Sequence, residues 1–199
     1  MTSAEIANAA TPCLRAEGLA LIRGGRLLFE GLSFTLSPGE ALLVTGRNGA
    51  GKSSLLRLVA GLLAADSGAL RNPFAAALLA SEPALKGDRL VESELRFWAG
   101  LDGASAERLA AAAEEMAVAA LFGFRCGQLS SGQRQRVAIA RTIASGARLW
   151  LLDEPANALD RASEERLLRA IEAHRAAGGL VMAATHQPLP LKGAKRLEL

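Results

Sequence analysis

Residues 46–54 read Gly46-Arg47-Asn48-Gly49-Ala50-Gly51-Lys52-Ser53-Ser54, three glycines, a lysine and two hydroxyls in nine positions. An apolar run, Ala41-Leu42-Leu43-Val44, precedes them, and a helical apolar pattern, Leu55, Leu58, Val59 and Leu62, follows. The spacing Gly46-x-x-x-x-Gly51-Lys52-Ser53 is that of a phosphate-binding loop. Glycines let successive backbone N–H groups converge on phosphate oxygens, and the helix that begins there adds its positive dipole end. In such a loop Lys52 reaches the β- and γ-phosphates, the Ser53 hydroxyl ligates Mg²⁺, and Ser54 bonds a further phosphate oxygen.

A phosphate loop needs a carboxylate for the metal and a group that orients water. Leu149-Trp150-Leu151-Leu152-Asp153-Glu154 supplies both, because an apolar run of this kind is a buried strand whose end carries the two acids to the edge of a sheet. Asp153 is then the metal-side acid, and Glu154 the general base that polarises the attacking water. A second apolar run, Leu180–Ala184, ends at Thr185-His186, which places His186 at the same edge, within reach of a γ-phosphate. A third segment, Leu129-Ser130-Ser131-Gly132-Gln133, opens a helix. Its serines and first-turn N–H groups form a second anion site, although alone it would read as a capping box.

The elements that must hold these groups are legible. Leu14–Ile22 and Arg26–Leu36 read as strands joined by the hairpin signal Gly24-Gly25. Short strands are expected at Ala41–Thr45, Ala75–Ala80, Arg148–Leu152 and Gly179–Thr185, with an edge strand at Lys195–Leu199. Helices are expected at Gly51–Leu63, Ser131–Ala144 and Ala162–Ala176. Residues 83–128 are alanine-rich and helical, broken at Gly100, Gly103 and Gly123, and read as an inserted helical subdomain. Strands alternating with helices give an α/β fold with a mostly parallel sheet, flanked by antiparallel N-terminal strands.

Composition bounds the rest. The 199 residues carry a net charge of +3 and are 50% hydrophobic, which suits one domain with a sizeable core and a mixed solvated surface, and no nucleic-acid partner is expected. No apolar run reaches the roughly 18–20 residues of a membrane span. The first residues show no basic region followed by an apolar stretch, so residues 1–12 read as a disordered tail and 13–199 as the domain. Cys13 and Cys126 form no metal-ligand spacing and read as free thiols, and His174 reads as an exposed helix residue.

Taken in order, the phosphate loop, the helical insertion, Leu129-Ser130-Ser131-Gly132-Gln133 before Arg134-Gln135-Arg136, the Asp153-Glu154 strand, Ala158-Leu159-Asp160 and His186 resemble the ATP-binding subunits of ABC transporters over residues 14–199. The resemblance implies the ABC-type P-loop NTPase fold, with ATP and Mg²⁺ as ligands. It implies that residues 129–133 close over the ATP held by a second copy, so that the working unit is a homodimer, and that Asp160 lies in the loop joining the two sites. Within the family the chain is similar to the heme-exporter ATPases of cytochrome c maturation. Four features carry this: Leu95-Arg96-Phe97-Trp98, Leu149-Trp150, the His186-Gln187-Pro188-Leu189 ending, and the overall brevity. The implied setting is the cytoplasmic face of a bacterial inner membrane, peripheral to separate transmembrane permease subunits of a heme-handling complex. An ATPase for another exporter (lipid, peptide or drug), a soluble ABC protein outside transport, and an ATP sensor without hydrolysis are the alternatives. Thirteen residues follow His186, so no regulatory domain is expected after it.

Two positions depart from the family pattern. Where a glutamine commonly senses Mg²⁺ and the permease, this chain has Glu82, whose carboxylate would ligate the metal while adding negative charge. Where an aromatic ring commonly stacks on adenine, it has Arg23 and contains no tyrosine. A guanidinium also stacks on rings, so binding with weaker base selectivity is expected.

Overall fold

The computed structural model describes residues 12–199; the expected tail over residues 1–12 lies, except for Pro12, outside the described residues. The chain runs β1 (Leu14–Arg23), β2 (Arg26–Leu36), β3 (Ala41–Thr45), α1 (Lys52–Val59), β4 (Ser67–Arg71), β5 (Ala76–Leu79), α2 (Val91–Leu101), α3 (Ala106–Glu115), α4 (Ser131–Ala144), β6 (Leu149–Asp153), α5 (Arg161–Ala176), β7 (Leu180–Ala184) and β8 (Lys195–Glu198). Two short 3₁₀ turns, Ala119–Leu121 and Cys126–Gln128, lie between α3 and α4.

Five strands form a parallel sheet in the order β5-β6-β7-β3-β8, and three form an antiparallel sheet in the order β2-β1-β4. The period of 2 in the parallel strands divides the core. Leu42, Val44, Leu149, Leu151, Leu180 and Met182 face α1 and the antiparallel sheet. Their alternates, Leu43, Trp150, Leu152, Val181 and Ala183, face the helices α2–α5. A sheet covered on both faces needs strands that are apolar at every position, and β6 and β7 are buried throughout. The parallel order brings the carboxyl ends of β3, β6 and β7 side by side, which is where the residues read as chemical lie.

The structure corrects the sequence reading at several places. Helix α1 stops at Val59, not at residue 63. Gly61, at φ 76°, donates to the Leu58 carbonyl and Leu62 to the Arg57 carbonyl, the reciprocal pair that closes a helix on a left-handed glycine. Leu62, which fits the apolar period, is 65% exposed. Gly100 does not break α2, which continues to Leu101. Strand β4 was not expected, because its five residues, Ser-Gly-Ala-Leu-Arg, are mostly exposed and pair only at the edge of β1. Residues 83–128 contain α2, α3 and both 3₁₀ turns. Both cysteines are free thiols, Cys126 buried and Cys13 partly exposed.

His174 is not an exposed helix residue. Its ring stacks on Trp150 with centroids 3.9 Å apart and planes 8° from parallel. Burial holds its pKa below the free value, against hydrogen bonding with the backbone of Leu180 and Arg148. A helical pattern cannot show that a strand indole waits beneath it.

Candidate functional site

The loop between β3 and α1 is set by a backbone that few residues adopt. Gly51 has φ 109°, and a Cβ there would press on Leu28 Cβ at 3.1 Å and Phe29 Cδ1 at 3.3 Å. A side chain at 51 would therefore force apart the loop and β2, so the glycine serves both the turn and the close approach. Lys52 is buried to 7% exposure, and its ammonium donates to the carbonyls of Gly46 at 2.8 Å and Arg47 at 3.2 Å. An ammonium held over the loop by two neutral carbonyls is placed to exchange them for phosphate oxygens.

Asp153 ends β6 at 3% exposure. Burial raises its pKa, a hydrogen bond with Ser53 opposes the rise, the neighbouring Glu154 charge adds to it, and Arg57 and Lys52 lower it. A buried carboxylate joined to the loop hydroxyl is the donor set a hard divalent cation takes. The raised pKa marks a charge that the protein alone leaves under-compensated, so these residues fit Mg²⁺. Glu154, next in the chain, sits at φ 51°, an unfavourable conformation for a side chain with a Cβ, and its N–H is tied to the Ala184 carbonyl at 2.8 Å. That bend turns the Glu154 side chain toward His186 at the end of β7. Glu154 Oε1 lies 2.8 Å from His186 Nδ1, and the His186 backbone N–H donates to Oε2 at 3.4 Å.

A cleft of about 360 Å³ gathers Asn48, Gly49, Gly51, Lys52, Ser53, Ser54 and Glu154. Gly46, Arg47 and Ala50 belong to the same loop without lining it, and Asp153 lies beneath Ser53. Leu28 and Ser81 also line the cleft, and sequence reasoning missed both. Leu28 had no signal beyond strand alternation, while Ser81 stands beside the position that drew attention. Glu82 itself is exposed and outside the lining, as is Arg23.

Residues 130–133 lie elsewhere. Ser130 and Gln133 form a reciprocal capping box: the Gln133 N–H donates to Ser130 Oγ at 3.2 Å and the Ser130 N–H to Gln133 Oε1 at 2.8 Å. The first-turn N–H groups of Ser131 and Gly132 lack intrahelical acceptors. With Asp160 and Arg136 they line a separate depression of about 260 Å³. Leu129 is 5% exposed and belongs to the core under the helices. Gly132 is required by contact: a Cβ would stand 2.6 Å from the Ala158 carbonyl oxygen. Asp160 caps α5, accepting from the Ser163 N–H at 2.8 Å, and this hydrogen bonding holds its pKa low. Gln135, buried on the next turn of α4, donates to the Pro155 carbonyl at 3.0 Å. It thereby links the helix to the turn after Glu154, a role no sequence signal had suggested. The chain thus brings together the groups of residues 46–54 and 153–154 at the cleft, with His186 outside its lining but bonded to Glu154, and leaves residues 130–133 apart from it.

Phosphate loop, acid-ended strand and sheet order define the class: an ATP-binding subunit of the ABC type. The chain belongs to the ABC transporter family, whose profile matches residues 29–157, and within it to the cytochrome c biogenesis ATP-binding export proteins. It is 46% identical to the protein of that name, CcmA, from Sphingopyxis alaskensis, over 91% of this chain and 93% of the relative. It is 45% identical to that of Zymomonas mobilis, over 94% and 84%. Among solved structures it is similar to an ATP-binding subunit of an ABC transporter, with TM-score 0.82, 25% identity, and coverage of 88% of this chain and 80% of that one. A bacterial Atm1-family ABC exporter with ATP bound shares the fold at TM-score 0.83 and 24% identity, over 96% of this chain and 37% of the exporter chain.

Proposed function

We propose that this ATPase hydrolyses MgATP in a head-to-tail homodimer and drives separate transmembrane subunits that handle heme for c-type cytochromes, at the cytoplasmic face of a bacterial inner membrane. The observation that carries the catalytic part is that Lys52, Ser53 and Glu154 line one cleft, with Asp153 joined to Ser53 and His186 to Glu154. Lys52 binds the β- and γ-phosphates, and the backbone N–H groups of residues 48–53 cradle them. Ser53 and Asp153 would hold Mg²⁺, which when bound neutralises charge on the transferring phosphoryl group. Glu154 accepts the proton of the attacking water through its carboxylate, and His186, held on that carboxylate by Nδ1, faces the γ-phosphate. Ser131 and Gly132 of the second copy complete the shell around the γ-phosphate with otherwise unpartnered N–H groups.

The separation of residues 130–133 from the cleft supports the dimer, since the second anion site serves a phosphate only if another chain brings it there. The heme-handling role rests on the names of the relatives and on the resemblance, and no described helix is long and apolar enough to cross a membrane. We further propose that residues 13–199 act as one domain with 83–128 as its inserted helical subdomain. Purification of the tagged chain from membranes tests the assignment: the expected result is a co-purifying permease and an ATPase rate that rises with it. Recovery without any membrane protein, at an unaltered rate, contradicts it.

A further inference from the structure

A second cavity lies apart from the nucleotide cleft. It has a volume of about 500 Å³ and opens between α3, the end of α4, and α5, within the roughly 300–1,000 Å³ of small-molecule sites. Its floor is apolar and aromatic, built from Ile143 and the stacked pair Trp150–His174. Its mouth carries the guanidinium groups of Arg108 and Arg169 and the carboxylate of Glu115.

Two observations give the cavity a chemical preference. Neither Arg108 nor Arg169 forms an ion pair among the described residues, although six other arginine or lysine pairs with carboxylates are present. The Arg108 guanidinium lies against Gly146, where any side chain would displace it, so the α4 end leaves room for that cation at the mouth. With Glu115 the mouth keeps a net positive charge. An apolar floor under two free guanidinium groups matches a molecule with an apolar body and one acidic head.

We propose that this cavity is a second ligand site, remote from the nucleotide cleft, for a small amphipathic carboxylate. The site does not depend on the ATPase reading, because it shares no residue with the cleft or with residues 129–133. The carboxylate pairs with Arg108 and Arg169, and the apolar body lies over Ile143 and Trp150.

Calorimetric titration of the full chain with dodecanoate and with 1-naphthylacetate, each beside its neutral alcohol, tests this. Dodecanoate binding tighter identifies an acyl-chain acid as the occupant, and naphthylacetate binding tighter a flat ring acid. The expected result is one site per chain for at least one acid, with affinity at least tenfold weaker for its alcohol and for the double variant R108Q/R169Q. Ala111→Phe, which fills the cavity from an exposed position on α3, is expected to abolish binding. ATP turnover should be unchanged in these variants, since they lie outside the catalytic machinery. Absence of binding by both acids, equal affinity for acid and alcohol, or undiminished binding in R108Q/R169Q or Ala111→Phe would overturn the proposal.

Discussion

Glu154 and His186 meet across the ends of two neighbouring parallel strands, with Glu154 Oε1 2.8 Å from His186 Nδ1. Neither strand alone fixes this geometry. It requires the register that sets Asp153 beside Ala184 and the left-handed turn at Glu154 that swings the carboxylate back toward β7. The Glu154 side chain is 13% exposed and that of His186 is 43% exposed, so the acid that lines the cleft is sheltered while the imidazole, outside the lining, is open to solvent.

If Glu154 takes the proton of the attacking water, Glu154→Gln should preserve the shape and ATP binding while lowering turnover by roughly 10²–10⁴-fold. The same variant should accumulate an ATP-bound dimer, seen as a doubled mass by light scattering. Turnover within a few-fold of the wild type would remove Glu154 from the role of base.

If the site is shared between two copies, mixtures of variants should show it. Lys52→Ala should lose nucleotide affinity, because the phosphate charge meets no ammonium. Gly132→Asp should bind ATP in its own loop yet fail in hydrolysis, for two reasons: a side chain meets the Ala158 carbonyl, and the new carboxylate faces the partner's γ-phosphate. Mixed in equal amounts, the two variants should regain at most one working site per heterodimer. Full hydrolysis by the Gly132 variant as an isolated monomer contradicts the shared site.

Much of this arrangement was legible because the signals were local. The loop glycines, the acids after four apolar residues and the strands at Ala41–Thr45 and Leu180–Ala184 all follow from spacing and burial along the chain. What was not legible depends on distant contacts. Gln135 looks like any helix amide until Pro155 is seen against it. Leu28 becomes a cleft residue only because β2 passes over Gly51. His174 carries the signature of a solvated helix face and is instead stacked on a strand indole. Strand β4 has the exposure of a loop and exists because β1 offers it an edge.

Two arginines tie α3 to the neighbouring helices. Arg136 of α4 donates to the Ala117 carbonyl at 3.1 Å and the Met116 carbonyl at 3.4 Å, and Arg166 of α5 to the Glu115 carbonyl at 3.0 Å. These carbonyls end α3 and lack intrahelical partners. Arg166→Ala should cost about 1.5–3 kcal/mol, the range for a hydrogen bond to a charged group, read as a lowered urea midpoint with an unchanged slope. An unchanged midpoint would mean that water serves those carbonyls equally well.

The His174 stack predicts a pH dependence of stability. Its pKa in the folded chain lies below the free value of about 6.5. The unfolded chain therefore binds the proton first as pH falls. The contribution is present in full above about pH 6.5 and is lost as the pH drops through the folded value. Urea midpoints measured between pH 7.5 and 5 should fall for the wild type and fall less for His174→Phe, which keeps a ring against Trp150. Parallel curves for the two proteins would assign the acid sensitivity to other groups.

Glu82 stands where a neutral amide is common in the family, and in this conformation it is exposed while Ser81 lines the cleft. Its side chain reaches the metal only if the segment after β5 turns inward as the dimer closes over ATP. A carboxylate brought to about 6–8 Å from the triphosphate without a metal between them would cost on the order of 2–3 kcal/mol at an effective dielectric near 20. Ligation of Mg²⁺ removes that repulsion, so a functional Glu82 binds its role to the metal. We propose that Glu82→Gln leaves ATP binding intact and shifts the Mg²⁺ concentration needed for half-maximal hydrolysis. If closure of the dimer carries Glu82 inward, the effect should be visible with the membrane partner present. The measurement is a Mg²⁺ titration of ATPase rate for both proteins in the assembled complex. Superimposable titrations would leave Glu82 a solvated surface residue, and the metal shell would then consist of Ser53 and Asp153 alone on the protein side.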